Sequence, residues 1–148
     1  MIENILIVCV GNICRSPMGE ALMKARFADK IPPVSISSAG LNALIDYPAD
    51  PIAQELMELK NLDISTHHAR QISNELISTA DLILTMSTEQ QREMEKLFPN
   101  ARGKIHRLGK WGEYDVIDPY QRPRSIFEHS LALIEQGIDD WFEMLRNS

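Results

Sequence analysis

The segment Cys9-Val10-Gly11-Asn12-Ile13-Cys14-Arg15-Ser16 has the form C-x5-R-S, a spacing of thiol and guanidinium that suits chemistry on an oxyanion. A loop that closes on a helix N-terminus aims successive backbone N–H groups at one point, and the helix dipole adds positive potential there. The residues Val10 to Ser16 can supply those groups. Arg15 offers a planar fork to two phosphate oxygens. Gly11 is expected to take a backbone conformation closed to most residues, and Asn12 to tie the loop internally. The same dipoles favour a thiolate at Cys9, the form in which cysteine is a nucleophile, and the Ser16 hydroxyl can hydrogen-bond it. By residue frequencies such a string arises by chance in roughly one chain in a hundred of this composition. The competing reading is a buried structural cysteine, a common state for free Cys, but that leaves Arg15 beside a strand end without a purpose. For Cys14, packing and chemistry stand level.

A loop of this kind needs a strand before it and a helix after it. Ile5-Leu6-Ile7-Val8 is continuously apolar and β-branched, as in a parallel strand buried on both faces, and ends at Cys9. Ser16 then reads as an N-cap with Pro17 at N1, opening a helix to about Phe27 with an apolar stripe of Met18, Leu22 and Ala25. Val34 to Ser37 alternates as a second strand. Asp50-Pro51 repeats the cap-plus-proline start for a helix through Leu56 and Leu59, Leu82 to Met86 is a third strand, Glu89 to Leu97 a helix, and Ile105 to Leu108 a fourth strand. The tail is the longest helix. Ser125 and Glu128 have capping-box spacing, and Phe127, Leu131, Ile134, Ile138, Trp141 and Leu145 recur at helical intervals. Alternating strands and helices predict a doubly wound α/β fold, a four-stranded parallel sheet with helices on both faces. Ligands of such folds bind beside the first strand, where the winding reverses. Cys9 to Ser16 occupies that place.

The chain has 148 residues, 44% hydrophobic and 24% charged, as expected of a single domain over 1–148. Fifteen Lys and Arg against 21 Asp and Glu leave a net charge of −6, which advertises no basic face for nucleic acid or anionic lipid. No apolar run approaches the roughly 20 residues of a membrane span. Ile5 to Val10 is too short, and follows too acidic a start at Glu3, for a secretory signal. A cytoplasmic location is therefore expected, without membrane insertion. Two cysteines are too few for a disulfide framework.

Five blocks in order carry a resemblance over nearly the whole chain: Val8 to Pro17, Ser38-Ala39-Gly40, His67 to Ile72, Asp81 to Met86, and Asp118-Pro119-Tyr120. The sequence resembles the low-molecular-weight protein tyrosine phosphatases, particularly bacterial members associated with capsule or exopolysaccharide production. The resemblance implies a phosphotyrosine protein phosphatase I-like fold and hydrolysis through a cysteinyl-phosphate on Cys9, with no cofactor or metal. Expelling a tyrosyl oxygen needs a proton, and two Asp-Pro pairs compete to supply it. Asp50 sits where a helix cap belongs. Asp118 has no such duty, Pro119 and Pro123 hold its segment out of helix, and Tyr120 offers an aromatic wall. The family's general acid lies in the Asp-Pro-Tyr block, which makes Asp118 the acid, then the base for the hydrolytic water.

The resemblance also places Leu44 and Tyr120 at the mouth of the cleft, with Leu44 where animal members often carry an aromatic residue. Around the loop it places Ser16, Ser38, Glu20 and His67, with Glu20 and His67 as a pair, although adjacent His67 and His68 also read as an ordinary loop pair. Ser87 stands where animal relatives carry an acidic residue. Relatives join their loop cysteines reversibly, which implies that Cys14 protects Cys9 from over-oxidation through a disulfide. The implied partner is a tyrosine-phosphorylated protein, an autophosphorylated bacterial tyrosine kinase.

The rival readings include a phosphocysteine sugar-transport component, whose loop is not expected to carry an arginine at Arg15, and a subunit that uses its terminal helix as an interface, although an amphipathic helix more often packs on its own sheet. Zinc is poorly served by C-x4-C without a second cysteine pair. An arsenate reductase of the same fold needs further cysteines, and none follows Cys14. A phosphotyrosine-binding module without turnover has no use for a complete set of Cys9, Arg15 and Asp118.

Overall fold

The computed structural model describes residues 1–146. Its central strand is β1, Asn4–Cys9, buried from Ile5 onward. Ile5, Ile7 and Cys9 face one apolar layer and Leu6 and Val8 the other, the period-two alternation of a strand covered on both sides. The remaining elements are α1 (Arg15–Arg26), β2 (Ser35–Gly40), α2 (Pro51–Glu58), α3 (Asn74–Thr79), β3 (Leu82–Thr85), α4 (Thr88–Leu97), β4 (Ile105–Arg107) and α5 (Arg124–Leu145). Short 3-10 turns occupy Pro99–Lys104 and Lys110–Gly112.

All four strands are parallel, in the order β2-β1-β3-β4. Winding therefore reverses at β1, and the chain leaves it at Cys9, paired with Gly40 at the carboxyl edge of the sheet. One layer joins α1, α2 and α5 through Met18, Met23, Leu56, Met57, Phe127, Ile134 and Trp141. The other joins α3 and α4 through Ile77 and Met94. The expected doubly wound α/β architecture is thus the observed one.

Local details depart from expectation where a tertiary contact wins. Ser16 is not the cap of α1: the helix begins at Arg15, Cys14 holds the N-cap position, and no side chain caps it. The Ser16 hydroxyl is committed elsewhere, and Pro17 is tolerated because amides of the first helical turn lack intrahelical partners. Met18, Gly19 and Met23 form its buried side, whereas Ala25 is exposed. β2 runs on through the buried small residues Ser38 and Ala39 to Gly40, beyond the expected Ser37. Helix α3 escaped the sequence reading because six residues are too few to display a helical period; Ser73 caps it by accepting from the Leu76 amide. The Ser125 capping box is not made, since α5 begins at Arg124 directly after Pro123 with no side-chain cap. Asp50 does cap α2, accepting from the Ile52 amide at 2.9 Å, with Pro51 as its first residue. Phe127, Leu131, Ile134, Ile138 and Trp141 are buried as their spacing requires.

Among the described residues, one buried side-chain oxygen has no partner. The Ser130 hydroxyl, within α5, makes no hydrogen bond among the described residues. A buried hydroxyl left unsatisfied costs about 1–3 kcal/mol. Ser130→Ala is therefore expected to raise Tm by about 2–12 °C in a thermal melt; an equal or lower Tm would show that the hydroxyl is satisfied in solution. No helix among the described residues is long and apolar enough to cross a membrane.

Candidate active site

The loop between β1 and α1 is held by its carbonyls. Asn42 donates its amide to Val10 O at 3.0 Å, Leu44 to Gly11 O at 3.0 Å, and Asp50 to Ile13 O at 2.8 Å. His67 Nε2 lies 2.7 Å from Asn12 O, which makes the ring nitrogen the donor. With the carbonyls turned outward, the amides turn the other way, and among the described residues none from Val10 to Ser16 donates to a protein group. A ring of such amides at a helix N-terminus binds an anion. Gly40 permits the close approach of the neighbouring strand end, because a Cβ there would stand 2.5 Å from Val10 O.

At the base of this ring Cys9 Sγ lies 2.9 Å from Ser16 Oγ, both buried. Asn12 Nδ2 donates to Ser16 Oγ at 2.7 Å and to Ser38 Oγ at 3.0 Å, and Ser38 in turn donates to Glu20 at 2.6 Å. Because Ser16 Oγ accepts from Asn12, its own proton is free to point at the sulfur. Arg15, only 4% exposed, donates through Nη1 to Val116 O at 3.0 Å and pairs through Nη2 with Asp118 at 3.5 Å. Asp118 is half-exposed, and its Oδ1 accepts from the Tyr120 amide at 3.1 Å. A cleft of about 200 Å³ opens above, lined by Cys9, Arg15, Leu44, Asp118 and Tyr120, with Val10, Gly11, Ile13, Cys14 and Asn42 completing it.

Several sequence expectations need correction. Gly11 does not adopt the special backbone; the left-handed residue is Asn12, at φ 60°, a conformation that asparagine reaches more readily than most residues. A Cβ at Gly11 would make ordinary contact with Ile13 and Leu44 at 3.8 Å. Asn12 and Ser16 are wholly buried and absent from the cleft wall: their side chains brace the loop from behind. Glu20 and His67 do not pair. Glu20 reaches Ser38 and Lys24, while His67 reaches the Asn12 carbonyl. Each supports the loop by a separate route, Glu20 through the Ser38 hydroxyl and His67 through the Asn12 carbonyl, although both line one surface pocket between α1 and the segment at 67.

The sequence reading missed Arg70, whose amide donates to Asn12 Oδ1 and whose Nε donates to Ser38 O, both at 2.9 Å. It also missed Val116, whose carbonyl holds Arg15, and Asn42 in the cleft. Nothing local signals these roles. Cys9 and Cys14 are both free thiols. Burial, reinforced by Asp50, Cys9 and Asp118 and opposed by Arg15, pushes the Cys14 thiol well up, so Cys14 stays protonated. Among the described residues no three His, Cys, Asp or Glu side chains are grouped to hold a metal ion.

A thiol and an arginine on one amide-lined loop, faced by a carboxylate, suit phosphoryl transfer. The family model for low molecular weight phosphotyrosine protein phosphatase matches residues 4–148. The chain belongs to this family. Probable low molecular weight protein-tyrosine-phosphatase EpsP of Ralstonia solanacearum is 45% identical over 146 residues, 99% of this chain and 98% of that protein. Vibrio vulnificus Wzb in complex with benzylphosphonate matches with a TM-score of 0.90 and 36% identity, covering 98% of this chain and all of that one. The YwlE arginine phosphatase from Geobacillus stearothermophilus also reaches 0.90, at 29% identity over 98% of this chain and 94% of its own. This low-molecular-weight phosphatase is accordingly an enzyme, and its four-stranded parallel sheet is that of the solved members.

Proposed function

We propose that this phosphatase hydrolyses phosphotyrosine in proteins through a cysteinyl-phosphate on Cys9. The observation that carries the reading is the Cys9 sulfur at 2.9 Å from Ser16 Oγ, beneath free loop amides and beside buried Arg15. The Cys9 thiolate attacks phosphorus in line, the amides and Arg15 hold the equatorial oxygens, and the P–O bond to tyrosine breaks. Asp118 gives its proton to the departing phenolate oxygen. The ionised Asp118 then takes a proton from water as that water attacks the cysteinyl-phosphate. Phosphate leaves and the thiolate is restored. Apolar Ile13, Leu44 and Tyr120 suit an aryl ring between the loop and the mouth.

The physiological partner under this reading is a tyrosine-phosphorylated protein, an autophosphorylated bacterial tyrosine kinase of an exopolysaccharide system. The resemblance to capsule- and exopolysaccharide-associated members supports that choice. Under this reading the chain acts in the cytoplasm as a single domain. A second reading, hydrolysis of phosphoarginine, draws on the similarity to the Geobacillus arginine phosphatase.

The test is initial phosphate release from matched phosphotyrosine, phosphoarginine and phosphoserine peptides by the parent and by Asp118→Asn. Selectivity for phosphotyrosine is expected, with kcat/KM falling about 100-fold or more in Asp118→Asn. Preference for phosphoarginine would replace the reading with the second one. Full activity in Asp118→Asn would remove its acid role.

Cys14 belongs to the same proposal as the thiol that captures oxidised Cys9. Condensation of a Cys9 sulfenic acid with the Cys14 thiol forms the S–S bond and releases water, after an external peroxide has supplied the oxidation. Cys14→Ser is expected to turn peroxide inactivation from largely dithiothreitol-reversible to largely irreversible. Equal recovery in parent and variant would discard the pairing.

A further inference from the structure

We infer that Tyr114 is a positioning residue for this reaction: its hydroxyl, seated in a notch that Gly137 opens in α5, sets where the Asp118 carboxylate stands. This rests on the reading of Asp118 as general acid. The segment from β4 to α5 carries Asp118 and contains little regular structure of its own, so its course depends on anchors.

Val116 is one anchor, donating to Met86 O at 2.8 Å and accepting from Arg15. Asp115 is another, accepting from the Thr88 amide and hydroxyl at 3.1 and 3.2 Å and pairing with Arg107 at 3.3 Å, but that carboxylate is about half-exposed. Both tie the segment to the sheet side. Tyr114 ties it to the helix. Its hydroxyl donates to Leu133 O at 2.7 Å, a carbonyl inside α5 that the helical pattern also offers to the Gly137 amide.

The seat for this side chain is cut by glycines. A Cβ at Gly137 would stand 2.8 Å from Leu108 Cγ and 3.2 Å from the Tyr114 hydroxyl. A Cβ at Gly112 would stand 2.6 Å from the Tyr114 ring, and one at Gly109 2.8 Å from it. Glycine inside a helix is disfavoured relative to alanine, and the close fit of Leu108 and Tyr114 gives Gly137 a packing reason. Burial, with Asp140 adding, pushes the Tyr114 phenol up to about 12, so it remains a donor at any working pH. Tyr114 stands four positions before Asp118, with Val116 between them. A change of seat at Tyr114 is therefore passed along a short segment without regular structure to the carboxylate, whose own hold is the 3.5 Å pair with Arg15 and the Tyr120 amide.

General-acid assistance matters most when the leaving group is poor, which separates positioning of the acid from general damage. The experiment compares kcat/KM for phenyl phosphate and 4-nitrophenyl phosphate in the parent, Tyr114→Phe, Gly137→Ala, Asp118→Asn and the Tyr114→Phe/Asp118→Asn double variant. Tyr114→Phe and Gly137→Ala are each expected to lose about tenfold on phenyl phosphate and no more than about twofold on 4-nitrophenyl phosphate. In the Asp118→Asn background Tyr114→Phe is expected to cost nothing further. Equal losses on both substrates, no loss in either variant, or full additivity with Asp118→Asn would each overturn the inference while leaving Asp118 as the acid. An Asp118→Asn loss that does not depend on the leaving group would instead overturn the acid assignment, and this inference with it.

Discussion

Cys9→Ser is expected to lower phosphate release from a phosphotyrosine peptide by roughly four orders of magnitude or more, with the fold retained. Serine preserves the position of the attacking atom and the contact with Ser16 Oγ, 2.9 Å from the sulfur in the parent. What it loses is anionic character, because the free loop amides and the Ser16 proton can support a thiolate, whereas an alkyl hydroxyl stays protonated near neutral pH. The anion seat itself survives, since its donors are backbone amides and Arg15. Inorganic vanadate or phosphate should therefore still protect the variant in a thermal melt. Turnover within about tenfold of the parent would take Cys9 out of the reaction; loss of both turnover and anion protection would point to a collapsed loop.

Arg15→Lys carries the next largest effect, a loss of about 1000-fold in kcat/KM. The guanidinium is buried, holds the Val116 carbonyl at 3.0 Å and meets Asp118 at 3.5 Å, and its fixed fork can serve two phosphate oxygens at once. A lysine ammonium is a single, more strongly hydrated point charge and cannot satisfy the same fork. The loss should fall mainly on kcat, because charge on the equatorial oxygens must be held most closely as phosphorus transfers. A rise in KM alone, with kcat kept, would show that Arg15 only gathers substrate. The same substitution frees the Val116 carbonyl, so a phenyl phosphate to 4-nitrophenyl phosphate comparison reads how far the Asp118 segment moves with it.

Much of the architecture was legible because it is written in local pattern. Ile5 to Val8 could hardly be other than a strand buried on both faces, Asp50-Pro51 marked a helix start that the structure keeps, and Phe127 through Trp141 lined the buried side of α5. Where local rules named a cap at Ser16 or Ser125, they were overruled. Ser16 has the right residue type for a cap, but its oxygen receives the Asn12 amide nitrogen and faces the Cys9 sulfur. Gly11 was the natural candidate for a left-handed turn, and Asn12 took it, because that geometry lets its side chain reach Ser16, Ser38 and the Arg70 amide together.

The sequence by itself determined the frame and singled out the proposed reagent: a cysteine and an arginine on one loop, between a buried strand and a helix, with Asp118 as the proposed acid. These could be read because the loop's ingredients are consecutive residues and the strand and helix follow from hydrophobic period. Only the tertiary structure decided how the reagent is held. Ser38, Arg70 and Val116 come from elements 26, 58 and 101 residues away from the loop positions they contact, and Tyr114 finds its seat only against Gly137. Hydrogen bonds of this kind depend on where a folded sheet brings distant backbone groups, and no spacing along the chain encodes that distance.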